Sequence, residues 1–206
     1  MSRRGRWIAP LLVLACESAL GGGGPLGIDH EWSYDQSGIW EPRYRTDLEY
    51  GVIFLEAGGA LWLGNDSAVG HTLWQCIDSS AITAISASGL KAVVSRKRPD
   101  QGDNPDEWFQ GHGYESFPSG EVALQASFVT PIIADYAKSN PWLWSLELMP
   151  LYDAIGRLKA QAHWQSDVLA GWALGSGIGY WSATLKTPIS VQILPRGLSV
   201  GISKRF

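Results

Sequence analysis

The stretch FPSGEVAL, Phe117–Leu124, decides how the rest of the chain is read. Pro-Ser-Gly stands ahead of an apolar pattern through Val122, Leu124, Phe128, Ile132 and Ile133, which reads as a helix start with Ser119 as its cap. A hydroxyl beside the free N–H groups of a helix start makes a nest for an anion. Upstream lies KAVVSRKRP, Lys91–Pro99. Lys91 and Arg98 are seven apart, so they are expected to share a helix face, with Arg offering a bidentate fork and Lys a point charge. Downstream lies GRLKAQAHWQSD, Gly156–Asp167, with Arg157, His163 and Asp167. His163 and Asp167 are four apart and fall on one helix face. An Asp that accepts the proton of one ring nitrogen fixes the tautomer and leaves the other nitrogen free to attack. Each cluster alone has an ordinary reading as a solvated face, a cap or a structural pair. Their order and combination point to phosphate chemistry.

Around these clusters the periodicity predicts helices over Asp47–Leu63, Leu73–Val94 and Trp142–Leu158, with a last long helix over Ser166–Tyr180. The helix after Ser119 is expected to kink or split at Pro131. Gly171, Gly175 and Gly179 recur every four residues and predict close approach of another helix. Pro99–Phe117 has no period and reads as a long loop of the kind that forms lids or binding surfaces. The tail alternates apolar and polar residues around Pro195-Arg196-Gly197, which predicts a β-hairpin of Ser190–Leu194 and Leu198–Ser203 packed on the bundle or on a partner.

The three clusters together resemble the type 2 phosphatidic acid phosphatase (PAP2) superfamily, which includes bacterial non-specific acid phosphatases and vanadium haloperoxidases. Its pattern is K-x6-RP, then PSGH, then SR-x5-H-x3-D. Here Lys91, Arg98 and Pro99 complete the first piece. Pro118-Ser119-Gly120 carries Glu121 in place of His, and Arg157, His163 and Asp167 keep the third piece with Gly156 in place of Ser. The resemblance implies an all-α PAP2-like bundle, here with the small C-terminal hairpin. It also implies hydrolysis of a phosphoric monoester or a lipid-linked phosphate or diphosphate through a phosphohistidine on His163, which Asp167 orients. Lys91, Arg98, Ser119, Gly120 and Arg157 would bind the phosphoryl group. It implies no cofactor and no metal.

Glu121 stands where the family's proton-donating histidine stands. Among three cations a carboxylate stays charged and repels a phosphate dianion. Three explanations are open. A good leaving group such as a diphosphate needs little protonation. Another residue, His112 or a protonated Glu121, supplies the proton. Or the site is altered or inactive and binds a phosphorylated ligand. A non-hydrolytic phosphotransferase or peroxidase is a further alternative.

Length and composition bound the rest. The 206 residues suit one domain. A net charge of −4 argues against a nucleic-acid partner. The chain carries two cysteines, Cys16 and Cys76, too few for a disulfide framework. Arg3, Arg4 and Arg6 precede the apolar run Trp7–Ala15, the layout of an export signal. VLAC, Val13–Cys16, loosely matches a lipoprotein box; cleavage after Ala19 or in the glycine run competes with it, as does a first buried helix. The expected organisation is a signal and glycine linker over 1–24, then one domain over 25–206. The expected location is periplasmic or exported, with Cys16 as an optional lipid anchor. The expected partner is a phosphorylated small molecule or lipid phosphate, with peripheral membrane association as an option.

Overall fold

In this computed structural model, residues 23–185, 189–194 and 197–202 are described. Among the described residues five α-helices form the domain: α1 Pro42–Leu63, α2 Ala68–Val94, α3 Gly120–Tyr136, α4 Leu148–Lys159 and α5 Gln165–Ala183. A seven-residue 3-10 segment, Pro141–Glu147, leads into α4, so the predicted helix from Trp142 divides in two. Helix α3 is the central element. Val122, Ala123, Ala126 and Val129 on it are fully buried, and it packs against α5, α2 and α4.

The glycine stripe of α5 explains that centrality. A Cβ at Gly171 would press into the Ser119 carbonyl oxygen, and one at Gly175 into that of Ala123. At Gly179 it would lie 2.8 Å from the Thr130 Cβ. The missing side chains let α5 lie directly on the α3 backbone, and they tie the start of α3 to the start of α5.

Pro131 neither splits nor ends α3. A helical proline leaves the carbonyl four residues earlier without its donor. That carbonyl belongs to Ser127, and the Ser79 hydroxyl of α2 donates to it at 2.8 Å. The interhelical bond replaces the lost one.

The expected fold class needs a correction. The sequence reading makes a C-terminal β-hairpin a component of the domain. No strand enters it: from Pro42 to Ala183 every named element is helical. Beyond it, Ile189–Leu194 (β1) and Gly197–Ile202 (β2) pair antiparallel with each other and, among the described residues, with no other strand. A two-stranded ladder is too small to form a layer of its own, and the core is closed by helix on helix. The fold class of the domain is all-α.

The expected location is corrected as well. The cysteine among the described residues, Cys76, is fully buried and offers no surface thiol for a lipid. No described helix is long and apolar enough to cross a membrane. Cys16 and the export segment lie outside the described residues.

Candidate active site

The site forms where the ends of α2, α3, α4 and α5 meet. Helix α2 stops at Val94, with Ser95 in the left-handed region at φ 45°. Lys91 and Arg98 therefore do not share a helix face. Lys91 sits in the last turn of α2, and Arg98 lies beyond it, ahead of a short 3-10 turn at Pro99–Gln101. The long loop then zips back along the exit of α2. Phe109 N–H donates to the Val94 carbonyl, Gln110 N–H to that of Ser95 and Ser116 N–H to that of Arg96. This return brings both cations together again, because Lys91 Nζ donates to the Glu115 carbonyl at 2.5 Å and Arg98 Nη2 reaches it at 3.5 Å.

His163 is buried just ahead of α5. Its Nδ1 lies 2.7 Å from the Ser116 carbonyl and 3.9 Å from Asp167 Oδ2. A carbonyl only accepts, so Nδ1 carries the proton and Nε2 keeps its lone pair. Nε2 faces Arg157 Nη2 at 3.4 Å. Burial first, then the charges of Arg157, Lys91 and Arg98, hold the imidazole well below its ordinary value of 6.5. The same crowding lowers Lys91 to about 8, with burial the largest cause and Arg98 and Arg157 adding to it. Three cations thus converge on one neutral imidazole.

Helix α3 aims its first turn at this point. The Ser119 backbone N–H donates to the Asp167 carbonyl at 3.0 Å. Its hydroxyl does not cap the helix. The Ser119 Oγ is buried without a hydrogen-bond partner, as is Arg157 Nε. A buried polar atom left unpaired costs about 1–3 kcal/mol, and both atoms are free to receive an anion. Gly120 opens α3 with the Lys91 side chain lying over it. Glu121, next in the first turn, pairs with Arg157: its Oε1 is 2.8 Å from Nη1.

Beneath His163 lies a polar network that the sequence motifs do not announce. Arg96 is fully buried between two carboxylates, 2.6 Å from Asp29 Oδ2 and 2.6 Å from Asp167 Oδ1. It also donates to Ser166 Oγ at 2.7 Å, and Ser166 donates to Asp29. The Trp108 ring covers the guanidinium at 4.0 Å. Asp167 Oδ2 accepts from Ser116 Oγ at 2.6 Å and from Trp164 N–H at 2.9 Å. Asp167 therefore reaches His163 through Ser116, whose hydroxyl it holds and whose carbonyl holds the ring. Asp29 is 137 residues from Ser166, so no local signal could have revealed it.

The structure thus brings together Lys91, Arg98, Ser119, Gly120, Glu121, Arg157, His163 and Asp167. It does not bring His112 to them: that residue is exposed in a turn, with no hydrogen bond or ion pair to the site. No group of three or more His, Cys, Asp or Glu among the described residues is placed to hold a metal ion.

Residues 72–188, more than half of the chain and the part that holds these clusters, match the PAP2 superfamily. The chain belongs to the PAP2 superfamily. Among curated proteins, an undecaprenyl-diphosphatase of Sulfolobus acidocaldarius is 26% identical over 121 residues, 58% of this chain and 56% of that protein. A lipid A 1-phosphatase of Porphyromonas gingivalis is 31% identical over 100 residues, 46% of this chain and 20% of that protein. This PAP2 chain therefore spans about half of the first relative and a fifth of the second. No solved structure matches it.

Proposed function

We propose that this PAP2 protein hydrolyses a lipid-linked phosphate or diphosphate, or a phosphoric monoester, through a phosphohistidine on His163. The observation that carries the reading is the neutral imidazole of His163, its unprotonated Nε2 turned toward Arg157 at the focus of Lys91, Arg98 and Arg157. Nε2 attacks phosphorus, and the bond from phosphorus to the leaving oxygen breaks. The three cations, the Ser119 hydroxyl and the Gly120 N–H hold the phosphoryl oxygens and stabilise the charge that develops on them. Water then attacks the phosphohistidine, releases phosphate and frees Nε2.

In this reading Glu121 replaces the histidine of the PSGH motif and binds Arg157 instead of protonating the leaving group. A diphosphate suits that arrangement, because its leaving group is itself a phosphate and leaves with little protonation. The likeness to an undecaprenyl-diphosphatase and a lipid A 1-phosphatase favours a lipid-linked substrate over a small monoester.

One observation favours a second reading. The Glu121 carboxylate already occupies Arg157 at 2.8 Å, as an anionic ligand would. A site closed in this way would bind a phosphorylated ligand without turnover. Phosphate release from an aryl phosphate, phosphatidic acid and a prenyl diphosphate, each run beside His163→Ala, separates the two. Release that vanishes in the variant, with an acid-labile, base-stable phosphoenzyme in the wild type, supports hydrolysis. No release above the variant by folded protein between about pH 4 and 8 supports the binding protein.

A further inference from the structure

The wall behind Arg157 is built from α1, α3 and α4. Asp153 and Arg157 stand four residues apart on α4, so they share a face of that helix. Each carries a buried polar atom without a partner, Oδ2 of Asp153 and Nε of Arg157. One is an acceptor and the other a donor. Side chains at this spacing on a helix are within reach of each other, so the two orphan atoms form a pair that is available but unmade. The other Arg157 nitrogens are engaged, Nη1 with Glu121 and Nη2 near His163 Nε2.

We propose that Asp153 is a positioning residue that competes for Arg157. Protonated, it leaves the guanidinium to Glu121 and to the phosphoryl oxygens. Ionised, it takes Arg157 Nε and draws the fork away from His163. The proposal rests on the phosphate-site reading above.

The charges around Asp153 make its state responsive. Helix α1 presents Arg45 and Glu49, α3 presents Glu121 and α4 presents Arg157. Burial is the largest influence and pushes the Asp153 carboxyl up to about 7, with Glu121 and Glu49 adding to it and Arg157 and Arg45 opposing. Arg45 is itself buried. It lies there because residue 156 is glycine: a Cβ at Gly156 would be 2.6 Å from Arg45 Nη1. An arriving dianion at Arg157 disfavours a second negative charge on Asp153, so binding at neutral pH takes up a proton.

Sulfate tests this, being a tetrahedral dianion that does not titrate near neutral pH. Its affinity for the full chain is measured by calorimetry from pH 6 to 7.5, where Lys91 is mostly charged. Asp153 ionisation predicts binding about fourfold weaker at pH 7.5 than at pH 6. In Asp153→Asn that step shrinks to less than about twofold, the remainder that Lys91 supplies. In the wild type, the Asp153 carboxyl carbon resonance moves its titration midpoint upward on adding sulfate, a readout that needs no variant. An unchanged step in folded Asp153→Asn, or an unmoved midpoint, overturns the proposal while leaving the phosphate site standing. No sulfate binding at any pH overturns both.

Discussion

Replacing Arg96 by methionine tests the network beneath His163. Arg96, Asp29 and Asp167 have side chains with no solvent exposure. The guanidinium stands between two carboxylates at 2.6 Å each. Methionine keeps most of the volume and removes the charge. The two acids are then buried without it, and breaking a buried pair in this way costs about 3–5 kcal/mol. Loss of the Trp108 contact at 4.0 Å adds about 0.5–2 kcal/mol. The sign of the pH dependence follows. Carboxyls deprived of their cation have raised folded-state values, so their stability is present at low pH and is lost as pH rises. The deficit of Arg96→Met against wild type is therefore larger at pH 8 than at pH 5. Urea unfolding at both values measures it. Adding Asp29→Asn should recover part of the loss, because one uncompensated charge then disappears. On the phosphohistidine reading turnover should also fall, since Asp167, which holds the Ser116 hydroxyl and through Ser116 the ring of His163, loses its own cation. A deficit below about 1 kcal/mol, or one of equal size at the two pH values, would refute the reasoning.

Three further outcomes follow from the same geometry. Gly171→Ala drives a methyl into the Ser119 carbonyl, which is backbone and cannot step aside; we expect about 1–3 kcal/mol of lost stability by thermal unfolding, and weaker sulfate binding because the first turn of α3 moves. Lys91, lowered to about 8 by burial and the neighbouring arginines, regains its charge beside a bound dianion. Sulfate binding at pH 8 should therefore take up a proton, visible as a buffer-dependent heat that Lys91→Met reduces to the part Asp153 supplies, and affinity should fall as pH rises through 8. Asp153, raised to about 7, contributes stability that is present below its unfolded value of 3.8 and lost as pH rises through 7. Asp153→Asn should gain on the wild type by on the order of 2–4 kcal/mol at pH 8 and by much less at pH 5, read from urea midpoints at the two values.

The motif residues were legible because each lies within a few positions of a helix end, where spacing translates into direction. For Ser119, Arg157, His163 and Asp167 the rule gave the place without the orientation: the Ser119 hydroxyl does not cap α3, and His163 lies ahead of α5 rather than on the helix face expected to carry it with Asp167. Lys91 and Arg98 came together by a different route. A shared helix face was expected, but the helix ended at Val94 and the returning loop brought the two side chains to the Glu115 carbonyl. The glycine spacing of α5 announced a close neighbour without saying that the neighbour was the backbone of α3. Pro131 looked like a break because its compensation, the Ser79 hydroxyl, comes from another helix 52 residues earlier. Asp29, Arg45 and Asp153 were invisible for the same reason. A buried charge in an unperiodic segment or on a helix face carries no mark of the partner it will meet. The role expected of Asp167 was direct, and the geometry inserts Ser116 between it and the ring.

In the proposed reading, Glu121 and Gly156 are the two departures from the family's pattern, and the wall behind Arg157 joins them. Gly156 opens the space that the Arg45 guanidinium fills. Arg45 brings a buried positive charge to a wall that also holds Glu49, Asp153 and Glu121. A serine restored at 156 would collide with Arg45 unless that side chain left. Arg45 leaving would strip Asp153 of a cation and throw its charge onto Arg157, which Glu121 already holds. A histidine restored at 121 would release Arg157 while leaving Asp153 free to take it. Each departure is therefore conditioned by the other, and restoring either alone places an unbalanced charge or a steric overlap beside the phosphate position. Glu121 is better understood as one member of this electrostatic unit than as an isolated loss of a proton donor. Its effect on catalysis then depends on how Arg157 is shared among Glu121, Asp153 and the phosphoryl group.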